Sequence, residues 1–184
     1  MSKVQLKPNT NLMPVPVVLV TVQGADEKPN IITLAWVGIV SSAPPQLSIS
    51  IRQSRFSFAL VKSSKEFVVN IPNEDLLYKT DGCGSLSGRD DDKFKEFSLT
   101  PVAAKKVKAP LIQECPVNLE CKVVNMLDLG SHTMFIAEIA AVHADDDVVK
   151  DGKIDTAKVR PIGYSPHEYW SLKEKIGTYG FSQK

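Results

Sequence analysis

Apolar and polar residues alternate along the segment Gln46–Arg52. Because successive side chains of a β-strand point to opposite faces, this segment predicts a strand with one apolar face and one polar face. The apolar face holds Leu47, Ile49 and Ile51, and the polar face holds Ser48, Ser50 and Arg52. The polar row continues into residues 53–57, which open a predicted helix from Ser57 to Lys62. A solvated sheet face alone accounts for such alternation, but its continuity with a helix start predicts a pocket.

The chemistry of this helix start suits a phosphate. A helix N-terminus presents unpaired N–H groups and the positive end of the helix dipole, and an arginine offers planar donors to phosphate oxygens. Arg52 and Arg55 both lie beside the predicted start. The alternative is a helix that is capped by Ser54 and flanked by two solvated arginines. At this point the sequence leaves both interpretations open.

Further runs of β-branched and apolar residues predict additional strands. They are Val15–Val22, Ile31–Val40, Glu66–Ile71, Val117–Val123 and Thr133–Val142. Turn-forming residues separate the early strands at Gly24-Ala25-Asp26 with Pro29-Asn30, and at 42–45, so the first half predicts an antiparallel meander. A hairpin turn is predicted at 150–153.

Further helices are predicted after Pro72. Asn73 caps a short helix that ends at Gly82, and residues 82–89 form a loop rich in small residues. The segment 92–97 places Phe94 and Phe97 on one helical face. The aromatic tail 161–170 leads to a short charged helix that ends near Gly177.

The composition is that of an ordinary globular protein. The 184 residues are 43% hydrophobic and 23% charged, which predicts a single domain spanning 1–184. A formal net charge of only +1, with dispersed basic residues, argues against a nucleic-acid partner. The apolar run at 15–22 is too short to cross a bilayer, and no signal peptide is recognised. The expected location is the cytoplasm, with no membrane partner.

The fold class follows from the density of strands. Several long apolar strands would leave open sheet edges, and closure into a barrel removes them. The sequence therefore predicts a mainly β fold, a Greek-key-like antiparallel or split barrel with helical insertions.

Candidate reactive side chains are few. The 3 cysteines, Cys83, Cys115 and Cys121, lack metal-ligand spacing, so we expect reduced thiols and no metal site. A nucleophilic Cys83–His132 pair in a non-redox enzyme stays as an alternative, although no third orienting group is recognised. His132 follows Gly130-Ser131 at the mouth of a strand, where an imidazole can bind a ligand. A non-catalytic barrel module is a further alternative.

At this point the sequence resembles a known family. The residues that carry the resemblance are 30–33 (NIIT), 36–45 (WVGIVSSAPP), 48–52 (SISIR), 66–70 (EFVVN), 87–89 (SGR), 92–94 (DKF), 119–122 (LECK) and 130–132 (GSH). In order and spacing they resemble the flavin reductase-like family with the FMN-binding split barrel, and within it the flavoredoxin and archaeal ferric reductase-type branch. The resemblance covers nearly the whole chain.

The resemblance implies a non-covalently bound FMN and assigns roles by position. Thr33, Leu34, Ala35 and Trp36 would line the isoalloxazine and ribityl part, with Ser41 nearby. Ser50, Ile51, Arg52 and Ser57 would reach the ribityl and phosphate end. His132 would lie near the flavin and help to place a nicotinamide.

The family is typically a homodimer with the flavin near the interface. The resemblance therefore implies that segment 83–94 and the tail around Tyr169 complete the site from the partner. Ala35 and Trp36 depart from the small polar residues of many flavin:NAD(P)H reductases. The electron donor is accordingly open: an NAD(P)H-dependent oxidoreductase, or a flavoredoxin-like carrier that takes electrons from a redox protein partner and does not itself oxidise NAD(P)H.

Overall fold

A computed structural model describes residues 1–25 and 27–183 of the chain. The predicted turn at residues 24–26 therefore includes one residue, Asp26, that lies outside the described residues. The strands are β1 (Val15–Pro16), β2 (Val18–Val22), β3 (Asn30–Leu34), β4 (Val37–Ser42), β5 (Pro45–Arg52), β6 (Glu66–Ile71), β7 (Pro101–Val102), β8 (Leu111–Ile112), β9 (Val117–Asp128), β10 (His132–Ala144), β11 (Val149–Lys150), β12 (Lys153–Ile154), β13 (Ile162–Ser165) and β14 (Glu168–Ser171). The helices are α1 (Phe56–Ser64), α2 (Leu77–Ser85), α3 (Lys93–Glu96) and α4 (Thr156–Val159), with 3-10 turns at Glu74–Leu76 and Asp146–Val148.

The main sheet is antiparallel and curls into a barrel. Its strand order is β3-β2-β6-β9-β10-β5-β4. The two edge strands, β3 and β4, are joined by only Ala35 and Trp36, so the edges of the sheet must meet. At this joint the Ser50 N–H donates to the Trp36 carbonyl oxygen at 3.0 Å. The predicted mainly β barrel with helical insertions is confirmed.

The meander prediction is wrong, because β6 lies between β2 and β9, and β5 pairs with β10. The predicted strand 31–40 is two strands, which separate at Ala35-Trp36. The predicted strand 15–22 is also two, since Val15 and Pro16 pair with β13 while 18–22 pair with β3 and β6. Val17 turns the chain between the two sheets, and its N–H donates to the Ile162 carbonyl oxygen at 3.2 Å.

The apolar face of β5 points into the barrel, as its alternation predicts. Leu47, Ile49 and Ile51 are buried in the main core, where they meet Phe67 and Phe135. Burial of each such side chain stabilises the fold by about 1.5–3 kcal/mol. With its apolar side chains held inside, β5 presents Ser48, Ser50 and Arg52 on the opposite face.

Three helix predictions are corrected. Arg55, not Ser54, is the N-cap residue of α1, and it makes no side-chain capping bond. Helix α2 continues beyond Gly82 to Ser85, so the first part of the predicted loop is helical; the ring of Phe97 packs against Gly82 and leaves no room for a Cβ there. The short helix predicted to end near Gly177 does not form. Leu172 and Ile176 of this segment are exposed and have no core to pack on.

A buried amide network ties strands β2, β6 and β9 to β8. Asn70 donates from Nδ2 to the Leu19 carbonyl oxygen at 3.0 Å, and its Oδ1 accepts from the Ile112 N–H at 3.0 Å and from Asn118 Nδ2 at 2.8 Å. Asn70→Leu would leave these groups unpaired, each at a cost of about 1–3 kcal/mol. We expect the free energy of unfolding in urea to fall by about 3 kcal/mol. The exposed control Asn125→Leu should change it by less than about 0.5 kcal/mol, and a similar small loss for Asn70→Leu would contradict the network's role.

Candidate functional site

An open cleft of about 560 Å³ lies where the barrel edges meet. This volume is in the range of small-molecule and cofactor sites. The end of β3, the Ala35-Trp36 connection and the polar face of β5 form its floor, and α2 and the β13–β14 hairpin form its walls. It is lined by Val17, Ile32, Thr33, Leu34, Ala35, Trp36, Ser50, Arg52, Arg55, Asp81, Gly84, Ser85, His132, Tyr164, His167 and Tyr169.

Most of the site residues expected from the sequence come together here. Thr33, Leu34, Ala35, Trp36, Ser50, Arg52 and His132 all line the cleft. Ser41, Ile51 and Ser57 do not. The Ile51 side chain is buried in the barrel core, and Ser41 pairs with Gln46 towards the far end of β4. Ser57 lines a smaller pocket next to the cleft.

His132 is held by contacts with β5, with the Ala35-Trp36 connection and with the preceding Ser131. It pairs with Arg52 in the register of β10 and β5, and its ring packs on the indole of Trp36 with centroids 4.3 Å apart. Its Nδ1 is 2.9 Å from Ser131 Oγ. Burial lowers the pKa of His132, and the positive charge of Arg52 lowers it further. Both effects favour the neutral imidazole.

A smaller pocket of about 80 Å³ lies at the N-terminus of α1. Its lining carries cationic side chains, Arg55, Arg89 and Lys93, and the hydroxyls of Ser54 and Ser57. The two cavities adjoin, and Ile32, Arg55 and Gly84 line both of them. A helix N-terminus surrounded by cations is an anion-binding arrangement.

Lys93 is a buried amine whose burial no pattern in the sequence predicts. Its Nζ donates to the carbonyl oxygens of Ile31, at 2.8 Å, and Cys83, at 2.6 Å. A lysine ammonium has three N–H donors, so one is left for the pocket. Burial lowers the pKa of Lys93 from 10.5 to about 8, with a further contribution from Arg55, while Cys83 opposes the shift.

The wall opposite the barrel comes from the same chain. The β13–β14 hairpin contributes Tyr164, His167 and Tyr169, and Tyr169 Oη donates to Asp81 Oδ1 of α2 at 2.8 Å. Burial raises the pKa of Tyr169, and the hydrogen bond to Asp81 raises it further. The aromatic tail thus lines the cleft of its own chain, and its contribution to a partner's site stays a prediction. Asp81 was not among the expected site residues, because it falls near the predicted end of a helix. Ser85 lies within segment 83–94, which the family resemblance assigns to a flavin site.

The thiols have the character of packing residues. Cys83, Cys115 and Cys121 are all buried and free. Burial raises the pKa of Cys83 to about 11, although Lys93 and Lys79 oppose the shift. This suppresses the thiolate that a nucleophile needs. Within residues 1–25 and 27–183, no group of three His, Cys, Asp or Glu side chains is arranged to hold a metal ion.

Comparison with known proteins gives the family. The flavin reductase like domain matches residues 10–173. An uncharacterised protein of Archaeoglobus fulgidus is 45% identical over 129 residues, which cover 70% of this chain and 72% of the relative. The chain belongs to the flavin reductase-like family.

Solved structures agree with this assignment. The flavoredoxin of Desulfovibrio vulgaris (Miyazaki F) aligns with a TM-score of 0.94 at 32% identity, over 100% of both chains. The flavoredoxin of Methanosarcina acetivorans aligns with a TM-score of 0.92 at 30% identity, over 100% of this chain and 98% of the other. A split-barrel domain from Shewanella frigidimarina has a TM-score of 0.83 at 21% identity, over 90% and 86% of the two chains, and supports the fold alone. No helix in the described part of the chain is long and apolar enough to cross a membrane.

Proposed function

We propose that the protein is an oxidoreductase or electron carrier that binds FMN non-covalently in the cleft. The observation that carries this proposal is the cationic pocket at the start of α1, which shares Arg55 with an adjoining cleft of cofactor size. A phosphate in the smaller pocket would meet Arg55, Arg89 and Lys93. A single terminal phosphate joined to a planar ring by a flexible chain matches this pair of cavities.

The residues along the cleft have distinct roles in this proposal. Ser50 and Thr33 offer polar groups along the ribityl chain, and Arg52 stands between the chain and the ring. Trp36 and His132 form one wall for the ring, and the neutral imidazole can hydrogen-bond without adding a charge. Bound FMN supplies the acceptance of a hydride or of single electrons, while the protein supplies position and exclusion of water.

The source of the electrons separates the two candidate functions. An NAD(P)H-dependent oxidoreductase would bleach its bound FMN when NADH or NADPH is added without oxygen. A flavoredoxin-like carrier would keep its colour with both nucleotides and lose it only with a reduced protein donor. The flavoredoxins that align over the whole chain favour the carrier. Rapid bleaching by either nucleotide would contradict the carrier and support the oxidoreductase.

The test of flavin binding itself is a spectrum. FMN mixed with the purified protein should stay with it through desalting, with quenched fluorescence and a shifted absorption band. A protein that elutes without flavin, and leaves the flavin spectrum unchanged, would refute the proposal.

We place the protein in the cytoplasm, a location that its free, buried cysteines support.

A homodimer is part of the proposal, with strand β4 in the interface. β4 is an edge of the main sheet, and it exposes 69% of Ile39 and 49% of Val40. Exposed apolar edge strands are usually covered. The double variant Ile39→Lys, Val40→Lys should be monomeric in light scattering at a concentration where the wild type is dimeric. The exposed pair Val149→Lys, Ile154→Lys is the control. A wild type that is monomeric throughout would contradict this interface.

A further inference from the structure

The amine of Lys93 is held in a fixed position in the lining of the cationic pocket. Only 4% of the residue is exposed, and its Nζ donates to the carbonyl oxygens of Ile31 and Cys83 at 2.8 and 2.6 Å. A neutral amine has two N–H groups, so both hydrogen bonds survive when the ammonium loses its third proton. The lone pair then takes the direction of the third N–H, away from both carbonyl oxygens. Loss of the proton therefore produces a nucleophile that is already oriented.

The surroundings of the amine favour this loss of a proton. Burial holds the pKa of Lys93 at about 8; Cys83 and Asp91 oppose the shift, and Arg55 adds to it. At pH 8 about half of the amine is therefore neutral, against about 0.3% of a lysine with the ordinary pKa of 10.5. The neutral amine is the form that attacks carbonyl carbon atoms.

The rest of the pocket suits a small phosphate. Its volume is about 80 Å³, and its lining includes Arg55, Arg89 and Ser57. Ser57 is buried, and its Oγ accepts from Asn30 Nδ2 at 2.8 Å, so the hydroxyl hydrogen is left to donate. The guanidinium of Arg89 is placed over the ring of Phe56, 5.7 Å from its centroid. A phosphate bound to these donors would share one small pocket with the nucleophilic amine.

We propose that Lys93 is a self-acylation site for small acyl phosphates, of which acetyl phosphate is the simplest. The neutral Nζ attacks the acyl carbon, an N–C bond forms, and the C–O bond to the phosphate breaks. The electron pair of that bond leaves with the phosphate, whose charge Arg55 and Arg89 stabilise. One proton of the nitrogen passes to the departing phosphate. The product amide keeps a single N–H for the two carbonyl oxygens and carries no charge.

Acylation would regulate the site that the proposed function assigns to the phosphate of FMN. The amide lacks the ammonium that would meet this phosphate, so the acylated protein should bind FMN at least about tenfold more weakly and riboflavin unchanged. This consequence rests on the proposed function, whereas the acylation itself does not.

The test treats the flavin-free protein with acetyl phosphate at pH 8 and locates the acetyl groups by peptide mass spectrometry. Lys93 should be acetylated at least about tenfold faster than Lys95, which belongs to the same helix and is exposed. Inorganic phosphate should suppress the reaction at Lys93 and leave that at Lys95 unchanged. With 4-nitrophenyl acetate, a neutral acetyl donor that has no phosphate, the preference for Lys93 should be lost.

A pair of variants tests the phosphate end of the pocket. Arg89→Gln should slow the acetylation of Lys93 by acetyl phosphate about tenfold. Lys62→Gln removes the same charge in the last turn of α1 and should change the rate by less than about twofold.

Three outcomes would overturn the proposal. They are acetylation of Lys93 no faster than that of Lys95, a rate at Lys93 that inorganic phosphate does not change, and the same preference for Lys93 with either acetyl donor. FMN affinity is measured separately, on the unmodified and on the acetylated protein. An unmodified protein that binds no FMN would refute the flavin proposal, while the acetylation of Lys93 would still be decided by the first measurement.

Discussion

Arg55→Glu is expected to weaken FMN binding at least about 100-fold, while riboflavin binding changes by less than about threefold. Arg55 lines both the cationic pocket and the cleft, so it lies where the ribityl phosphate of FMN would pass. A hydrogen bond to a charged group contributes about 1.5–3 kcal/mol, and reversal of the charge adds repulsion to that loss. Riboflavin lacks the phosphate and should not sense the change.

The control for Arg55→Glu is Lys62→Glu. It makes the same change of charge on the same helix, but Lys62 lies in the last turn of α1, away from the pocket. Its FMN affinity should stay within about twofold of the wild type, since exposed charges at this distance are screened. Equal losses for FMN and riboflavin in Arg55→Glu would mean that the cleft was distorted, and would contradict a phosphate at Arg55. Fluorescence quenching measures both ligands.

The second large effect is the dependence of FMN binding on pH through Lys93. Burial sets the pKa of Lys93 at about 8 in the free protein, and a phosphate favours the protonated amine. FMN affinity should therefore be constant between about pH 7 and pH 8, where the phosphate is a dianion and the amine is protonated, and fall above about pH 8, by up to about tenfold per pH unit. In Lys93→Met the affinity should be lower and this decline should be absent.

The Lys93 amine should also make the stability of the flavin-free protein depend on pH. The folded pKa of about 8 lies below the ordinary value of 10.5, so between these values the unfolded chain binds more protons. The free energy of unfolding should rise with pH across that window, by about 3 kcal/mol in total. Below about pH 8 Lys93 is protonated in the folded protein, so the whole cost of burying its charge lowers the free energy of unfolding.

Lys95→Met is the matched control, because Lys95 belongs to the same short helix and its side chain is exposed. The difference between wild type and Lys93→Met, measured by urea unfolding from pH 7 to 10.5, isolates the contribution of this amine. A wild type and a Lys93→Met variant with parallel pH curves would show that the burial of Lys93 is unrelated to either effect.

The sequence predicted best where a local pattern coincided with burial. The alternation at Leu47, Ile49 and Ile51 gave the inward face of β5 and, with it, the polar floor of the cleft. The break at Ala35-Trp36 escaped prediction because neither residue is a turn former. It exists because the barrel edges meet there, which is a property of the whole sheet.

The candidate site was predictable where its residues lie close together in sequence. Thr33 to Trp36, Ser50 and Arg52 follow from the two strand segments and the family resemblance, whereas Ile51 between them points into the core. The burial of Lys93 was not predicted, because a charged residue in a polar segment is ordinarily exposed. It depends on carbonyl oxygens from β3 and α2. Asp81 and Tyr169 are 88 residues apart, and only the docking of the C-terminal hairpin brings them together.

The central claim is that the cleft holds a flavin whose phosphate lies in the cationic pocket. A parallel fluorescence titration of the wild-type protein with FMN and riboflavin at pH 7 tests it most directly. FMN should be quenched and should bind about 100-fold more tightly than riboflavin, a difference of about 2.7 kcal/mol. Equal affinities for the two flavins, or no quenching of either, would contradict the claim.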